Sequence, residues 1–359
     1  MTREDIARMR LSAQHIAQAN FTAAEDVVSH LLAMQAQDYP GALWAIALRS
    51  QNLTQKDVEQ AIADRKIVRT WPMRGTLHFL AAEDARWMVN LLAPRAVASA
   101  AGRRKMLEID DAVLAKSKEV ITNALAGGES LTRNALCDIL DQHGISTAGQ
   151  RGIHIIHYFA EQTLLCFGPH EGKQPTFVLM DDWIAPTPPK QKEEALAELA
   201  KRYFISHGPA SLKDFAGWGF MTMGDAKLGL ELAKTSLISE TVDGTEYWFS
   251  PKLVSAPNRT YLLPGFDEFI LGYKDRSAGL AEIHSQHIVP GNNGMFLPTL
   301  VIDGQVLGTW KRITRVNSQT VKVIPFEPLT NKQKESIYQA AKRYEHYAGL
   351  TTTWALAER

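Results

Sequence analysis

Two glutamines separated by a single residue are the first candidates for chemistry in this chain. Gln35 and Gln37 end an apolar stripe with helical spacing, and Pro40 follows closely. Because the residue before a proline disfavours the α conformation, the helix predicted over 22–37 should end near Gln37. Residues two apart point to different sides of an intact helix, but at a fraying end both amides could converge. On pattern alone, a capping role at a solvated helix end is favoured over a site.

Two segments combine basic and aromatic residues, a mixture that suits phosphate contacts and base stacking. The candidate DNA-binding residues are Arg69, Trp71 and Arg74 in the first segment and Trp310, Lys311 and Arg312 in the second. The alternative for each segment is a solvated hairpin built around a core tryptophan. The pattern leaves both interpretations open.

Several carboxylates lie close together late in the chain. Asp267 and Glu268 are followed by Asp275 and Arg276. Paired carboxylates can perform acid–base catalysis. An Asp–Arg pair that braces a loop is the commoner use of these residues, so a structural role for Asp267, Asp275 and Arg276 is favoured.

The composition excludes several classes of protein. With 39 basic and 39 acidic residues among 359, total charge indicates no partner, but residues 1–105 carry 14 basic against 10 acidic residues and 106–186 carry 5 against 11. A bound polyanion would therefore favour the first segment. The two cysteines, the charged N-terminus and the lack of a long apolar run predict a cytoplasmic protein without a membrane span. Phosphate-loop, serine-elbow and zinc-helix motifs are missing, so we expect no metal and no cofactor.

The order of predicted elements indicates an α+β fold that is mainly helical. Three helices followed by a small hairpin, which is the winged-helix arrangement, recur in three successive stretches. The clearest hairpin signal is Asp243-Gly244 between two alternating runs. The predicted division is a first winged helix over 1–105, a second over 106–186, a third over 190–256, a β-rich module over 257–329 and a C-terminal helix within 330–359.

Separated motifs along the chain resemble the winged-helix DNA glycosylases of the AlkZ and YcaQ type. They are Met34-Gln35-Ala36-Gln37, Arg74-Gly75-Thr76-Leu77-His78, Leu263-Pro264-Gly265-Phe266-Asp267, Gly272-Tyr273-Lys274-Asp275-Arg276, Pro298-Thr299, Asp303-Gly304 and Gly308-Thr309-Trp310. The resemblance implies tandem winged helices on double-stranded DNA and excision of alkylated bases, in some members with unhooking of interstrand crosslinks. It also implies a catalytic Gln-x-Gln motif, which here is Gln35 and Gln37.

This resemblance predicts a monofunctional DNA glycosylase that acts as a monomer near the nucleoid. A purine alkylated at N7 or N3 is cationic and leaves without a general acid, so a positioned water is the remaining requirement. The hypothesis is that Gln37 holds this water while Gln35 aligns it or the sugar, with Asp38 as a competing water-holder. Arg74 and His78 are candidates for catalytic support. The alternative is a non-catalytic winged-helix protein such as a transcription factor.

Overall fold

The computed structural model describes residues 1–357 and confirms the predicted α+β class, with 48% of the chain helical and 21% in strands. The described chain divides into two compact units. The first unit comprises residues 1–61, 196–218 and 222 onward, and the second comprises 62–195 and 219–221. Within the described range, no helix is both long enough and apolar enough to cross a membrane.

The first unit begins with short helices and one very short strand. These elements are α1 (Arg3–Ala13), α2 (Ala24–Leu31), β1 (Met34–Gln35), α3 (Tyr39–Ala47) and α4 (Gln55–Ala63). The continuous helix predicted over 22–37 is wrong, because α2 ends at Leu31 and the chain then becomes extended. Pro40 lies in the first turn of α3, where its missing N–H is not needed.

The second unit contains two hairpins and a group of helices. Its elements are β2 (Ile67–Met73), β3 (Thr76–Ala81), α5 (Ala82–Ser99), α6 (Ala101–Met106), α7 (Asp111–Leu125), β4 (Leu131–Thr132), α8 (Arg133–Gln142), α9 (Arg151–Glu161), β5 (Leu165–Glu171), β6 (Gln174–Leu179) and α10 (Met180–Trp183). β2 and β3 are antiparallel, and β6 lies between β4 and β5. The predicted order of three helices and a hairpin over 106–186 matches α7, α8, α9, β5 and β6.

The chain then completes the first unit. Its remaining elements are α11 (Lys192–His207), α12 (Leu212–Trp218), α13 (Met223–Ala233), β7 (Ile238–Val242), β8 (Thr245–Phe249), β9 (Thr260–Leu263), α14 (Glu268–Leu271), α15 (Ser285–Ile288), β10 (Thr299–Ile302), β11 (Gln305–Thr314), β12 (Ser318–Pro325), α16 (Asn331–Ala348) and β13 (Thr351–Leu356). The hairpin of β7 and β8 turns at Asp243-Gly244, as its residues predicted. The number of winged-helix domains and the predicted division stay predictions.

The predicted β-rich module over 257–329 contains β9 to β12, which form a five-stranded sheet together with β13, in the order β13-β12-β11-β10-β9. Its closing helix α16 has a Thr330 capping box and ends at Gly349, whose φ of 64° is the left-handed conformation that favours glycine. The prediction of a helix alone after residue 330 is incomplete, because β13 follows and runs parallel to β12. The sequence does contain a signal for β13, the β-branched run Thr351-Thr352-Thr353 before Trp354.

The core of the second unit encloses a titratable pair on α9. The His157 Nε2 and Glu161 Oε1 atoms are 3.4 Å apart, and the His157 ring lies against that of Trp71. Burial raises the pKa of Glu161 to about 7 and lowers the pKa of His157 to about 4. The native state therefore favours the neutral form of both side chains.

We predict that Glu161→Gln changes how the stability of the protein depends on pH. Because the native pKa of Glu161 is raised above its unfolded value, its stabilising contribution is present below about pH 4.5 and is lost as the pH rises through about 7. The difference between the two free energies of unfolding, variant minus native protein, should therefore increase from pH 5 to pH 8. Urea denaturation at several pH values measures this difference, and Glu119→Gln on the exposed side of α7 is the control. A constant difference would contradict the assignment.

Candidate active site and nucleic-acid interface

A strained turn places the two glutamines. Leu32 follows α2 with φ 68° and ψ −61°, and the Ala33 N–H donates to the Leu31 carbonyl at 2.8 Å. This is a γ-turn with positive φ, the rarer and more strained form. Such a backbone conformation costs about 1–3 kcal/mol and persists only where the surroundings impose it. The Leu32 side chain is fully buried, so core packing holds the turn in place.

Burial alternates along the segment that follows this turn. Met34 and Ala36 are buried, whereas Gln35 is half-buried and Gln37 is exposed. A period of two is the pattern of extended chain, in which residues two apart face the same side. The burial pattern therefore places both amides on the less buried side of a segment that begins as a strand, and not at a fraying helix end.

Asp38 lies directly beyond this segment, at the start of α3. Its side chain is exposed. A Cβ on Gly41 would lie 2.4 Å from Asp38 Oδ2, so the carboxylate covers the backbone of the first turn of α3. A carboxylate is stabilised near a helix N-terminus by the orphan N–H groups and the helix dipole. Asp38 is the N-cap residue of α3 but makes no capping hydrogen bond through its side chain, and its role as a water-holder stays a prediction.

A buried ion pair lies within the same unit. Arg49, near the end of α3, donates from Nη2 to Asp267 Oδ1 at 2.8 Å and from Nη1 to Oδ2 at 2.9 Å. Both side chains have no exposed surface. Asp267 Oδ1 also accepts the N–H of Phe269, and Asp267 thereby caps α14. Asp267 therefore joins the start of α14 to Arg49, and its predicted site-bracing role stays a prediction.

The next residue, Glu268, is also buried. Its Oε1 accepts the backbone N–H of Gln35 at 3.4 Å, and its Oε2 accepts the Trp218 indole N–H at 3.0 Å. His207 Nε2 lies 3.5 Å from Oε2. Burial lowers the pKa of His207, so the neutral imidazole is favoured beside this carboxylate. A carboxylate of the first unit therefore contacts the backbone of the Gln-x-Gln segment.

Tyr273 connects these groups to a second buried cation. Its hydroxyl donates to the His207 carbonyl at 2.7 Å and accepts from Gln14 Nε2 at 3.0 Å. Gln14 Oε1 in turn accepts from Arg49 at 2.9 Å. The guanidinium of Arg10 lies over the Tyr273 ring at 3.5 Å. The polar groups beneath the segment form one continuous network that begins on α1 and reaches α14.

The other predicted bracing residues hold the loop after α14. Arg276 Nε donates to the Ile270 carbonyl at 2.9 Å, and its guanidinium lies over the Phe296 ring. Asp275 Oδ1 accepts the N–H of Ser277, while its backbone carbonyl accepts from Arg10. Both residues therefore support the backbone of this loop.

In the second unit, Arg74 occupies a tight turn at the tip of the β2–β3 hairpin. Arg74 and Gly75 both have positive φ, 58° and 66°, and Met73 pairs with Thr76, which defines a two-residue type I′ turn. Arginine is an unusual first residue there, since Asn, Asp and Gly are preferred. Arg74 Nη2 lies 3.0 Å from His78 Nε2, and His78 Nδ1 lies 2.9 Å from the Thr76 carbonyl.

These contacts define the tautomer of His78. The Thr76 carbonyl can only accept, so Nδ1 carries the proton, and Nε2 accepts from the arginine. His78 is fully buried. Its geometry is that of a residue that orients Arg74, and not that of an exposed acid or base.

Arg69 and Trp71, on β2, pack against the neighbouring hairpin. The Arg69 guanidinium lies 4.9 Å from the centre of the Phe167 ring. Trp71 is 8% exposed and contacts Phe167 and Phe177 within the core of the second unit. An open cavity of about 440 Å³ adjoins this cluster. Trp71 is therefore a core tryptophan, which is one of the two interpretations that its segment left open.

The second basic segment lies on the hairpin of β11 and β12. Trp310 is 5% exposed and donates from Nε1 to the Leu263 carbonyl at 2.8 Å. Its predicted DNA contact is therefore corrected to a core role, since its indole is enclosed. Lys311 and Arg312 are exposed, as are all residues from 311 to 317. The tip residue Val316 has 92% of its surface exposed, so this end of the hairpin projects from the sheet.

The chain is similar to known DNA glycosylases in sequence and in fold. A family model described as DNA glycosylase AlkZ-like matches residues 28–347. An interstrand DNA cross-link repair glycosylase of Streptomyces sahachiroi is 26% identical, with 95% of each chain covered. The solved structure of Streptomyces sahachiroi DNA glycosylase AlkZ has a TM-score of 0.83 at 22% identity and covers 99% of this chain and 100% of that chain. This structural likeness shows a shared fold.

The chain belongs to the AlkZ-like DNA glycosylase family, as its motifs indicated. It is a DNA N-glycosylase, an enzyme of DNA repair whose partner is DNA. The alternative of a non-catalytic winged-helix protein is therefore wrong.

We predict that breaking the Arg49–Asp267 pair strongly destabilises the protein. Arg49→Ala leaves the Asp267 carboxylate buried without its main partner, which should lower the free energy of unfolding by about 3–5 kcal/mol. Chemical denaturation measures the change. The matched control is Arg3→Ala, because Arg3 pairs with Asp243 while both side chains are more than half exposed, and little change is expected there. Equal effects of the two substitutions would contradict a special role for the buried pair.

Proposed function

We propose that this glycosylase hydrolyses the N-glycosidic bond of cationic N7- or N3-alkylated purines in double-stranded DNA, with water positioned by Gln35 and Gln37. The observation that carries the proposal is the pair of amides on the less buried side of a strained segment. In a member of a DNA glycosylase family, such a segment provides fixed hydrogen-bonding groups where a substrate can reach them.

The chemistry requires no acid from the protein. The bond between C1′ and the purine nitrogen breaks, and its electron pair neutralises the cationic base, which leaves. The water oxygen bonds to C1′ of the oxocarbenium-like sugar, and the lost proton passes to solvent. An amide carbonyl can accept a hydrogen bond from this water, while its NH₂ group fixes the direction of the side chain. Positioning alone can lower the barrier by about 7 kcal/mol or more.

Interstrand crosslinks are a second class of substrate for the same step. A purine that is joined to the opposite strand through N7 is also cationic, so the leaving-group argument applies unchanged. The name of the Streptomyces sahachiroi relative supports this extension. Since Gln37 is exposed at the surface of its segment, the proposed attack does not require a closed pocket around the base.

We expect exposed or turn-presented cationic side chains of each unit to hold DNA. Arg74 is presented by its strained turn and oriented by His78, and Lys311 and Arg312 stand on the projecting hairpin. Arg69 is a further candidate beside the open cavity. Phosphate contacts of this kind give affinity without reading sequence, which suits an enzyme whose target is a chemical lesion.

We predict that Gln37→Ala and Gln35→Ala each slow base release by about 100-fold or more, because the water loses its fixed position. The measurement is single-turnover release of 7-methylguanine from duplex DNA. The double variant Gln35→Ala/Gln37→Ala should be slower than either single variant. Gln51→Ala is the control, since Gln51 is an exposed glutamine of the same unit.

DNA affinity provides the accompanying measurement. The glutamine variants should bind duplex DNA as tightly as the native protein, because neutral amides contribute little to phosphate binding. Normal release by both single variants with intact DNA binding would contradict the assignment. Asp38→Asn tests whether Asp38 holds the water instead. Slow base release in this variant alone would assign the positioning of the water to Asp38.

We predict that Lys311→Gln/Arg312→Gln weakens DNA binding in a salt-dependent way. Two lost phosphate contacts should reduce the slope of log K against log salt concentration by about 1.8. Fluorescence anisotropy with undamaged duplex at several salt concentrations measures the slope. The matched control is Lys116→Gln/Lys118→Gln on the exposed face of α7, which removes equal charge. Equal slopes for the two double variants would contradict a contact at the hairpin.

A further inference from the structure

A buried carboxylate that the reaction itself does not require lies against the Gln-x-Gln segment. Glu268 is 1% exposed and is the first residue of the short helix α14. Leaving a charge in the interior costs several kcal/mol unless hydrogen bonds compensate it. The Trp218 indole N–H supplies one such bond at 3.0 Å to Oε2. The other oxygen, Oε1, is directed at the backbone N–H of Gln35, at 3.4 Å.

The backbone of Gln35 follows a strained turn. The γ-turn at Leu32 ends α2 abruptly, so the segment after it lies beyond the hydrogen bonds of that helix. A strained segment keeps its geometry only while surrounding groups hold it. Glu268 thus supplies a hydrogen-bond acceptor to the backbone of the first of the two glutamines, at 3.4 Å.

The position of Glu268 is itself tightly determined. Asp267, the preceding residue, caps α14 and is held by the bidentate contact of Arg49. At the other end of α14, a Cβ on Gly272 would lie 2.6 Å from the Glu268 carbonyl and 2.8 Å from the ring of His207. The helix is therefore enclosed at both ends. The Glu268 carboxylate, at the start of this helix, cannot move far without breaking buried contacts.

We infer that Glu268 is a positioning residue for the proposed reaction: its carboxylate fixes the backbone of Gln35 and thereby the direction of both amides. This inference rests on the proposed function of Gln35 and Gln37. Glu268 acts through length and hydrogen bonding, so its loss slows the chemical step and leaves DNA affinity unchanged. A displacement of about 1 Å at a catalytic group can reduce the rate about 100-fold.

Two substitutions separate the reach of the side chain from its charge. Glu268→Asp keeps the carboxylate but withdraws it by one methylene, so the contact with Gln35 is lost. Glu268→Gln keeps the length and an oxygen acceptor while removing the charge. We expect kcat for 7-methylguanine release to fall about 100-fold in Glu268→Asp and less than about tenfold in Glu268→Gln. KM and the affinity for undamaged duplex should stay within about twofold of the native values.

A background without the glutamines tests whether Glu268 acts through them. Added to Gln35→Ala/Gln37→Ala, Glu268→Asp should slow base release no further, because the groups that it positions are gone. A general loss of stability would instead reduce the active fraction in both backgrounds. Amide hydrogen exchange offers a readout that does not depend on activity. The N–H of Gln35 should exchange faster in Glu268→Asp than in the native protein or in Glu268→Gln.

The possible results are distinguishable. Native activity in Glu268→Asp would overturn the positioning role, as would equal losses in Glu268→Asp and Glu268→Gln, which would indicate that charge is what matters. Unchanged exchange at Gln35 would overturn it as well. If Gln35→Ala/Gln37→Ala retains full activity, the proposed function itself fails, whatever the Glu268 variants show. Urea denaturation confirms that each variant is folded before its rate is compared.

Discussion

The bidentate contact between Arg49 and Asp267 is the interaction on which the arrangement of the first unit depends. It joins residues 218 positions apart, and neither side chain reaches solvent. Such a pair contributes little net stability compared with apolar packing, but leaving either charge alone is very unfavourable. The fold must therefore bring Arg49, just after α3, and Asp267, at the start of α14, together in this geometry. The capped α14 then carries Glu268 to the backbone of Gln35.

Much of the fold followed from local sequence signals. The elements of 106–186, the hairpin at Asp243-Gly244 and the capped helix before Gly349 lie where turn residues and apolar spacing placed them. The prediction of a helix over 22–37 was wrong because its residues give no indication of a turn at Leu32. Leucine favours helices, and only the surrounding core makes a positive φ tolerable there. The packing that decides this conformation comes from residues that are distant in sequence.

The site was predictable in part, and mainly through resemblance. Gln35 and Gln37 stay predictions, and the structure replaces the expected fraying helix end with an extended segment. Arg49 and Trp218 were missed, because each contacts a partner far along the chain and no local pattern links them. Glu268 was considered only as one of a pair of carboxylates, and its contact with the backbone of Gln35 was missed. Trp310 shows the opposite error. Its neighbours Lys311 and Arg312 suggested a surface role, whereas Trp310 is the last of three consecutive buried residues of β11.

The proposed chemistry explains why a neutral pair of side chains suffices and where selectivity would arise. An ordinary purine is a poor leaving group until it is protonated, and an amide cannot supply that proton at neutral pH. A water held by Gln35 and Gln37 would therefore act quickly only on a base that already carries positive charge. Discrimination would then reside in the reactivity of the lesion and need little shape complementarity. A half-buried and an exposed amide on one segment would meet this requirement for small lesions and for crosslinks alike.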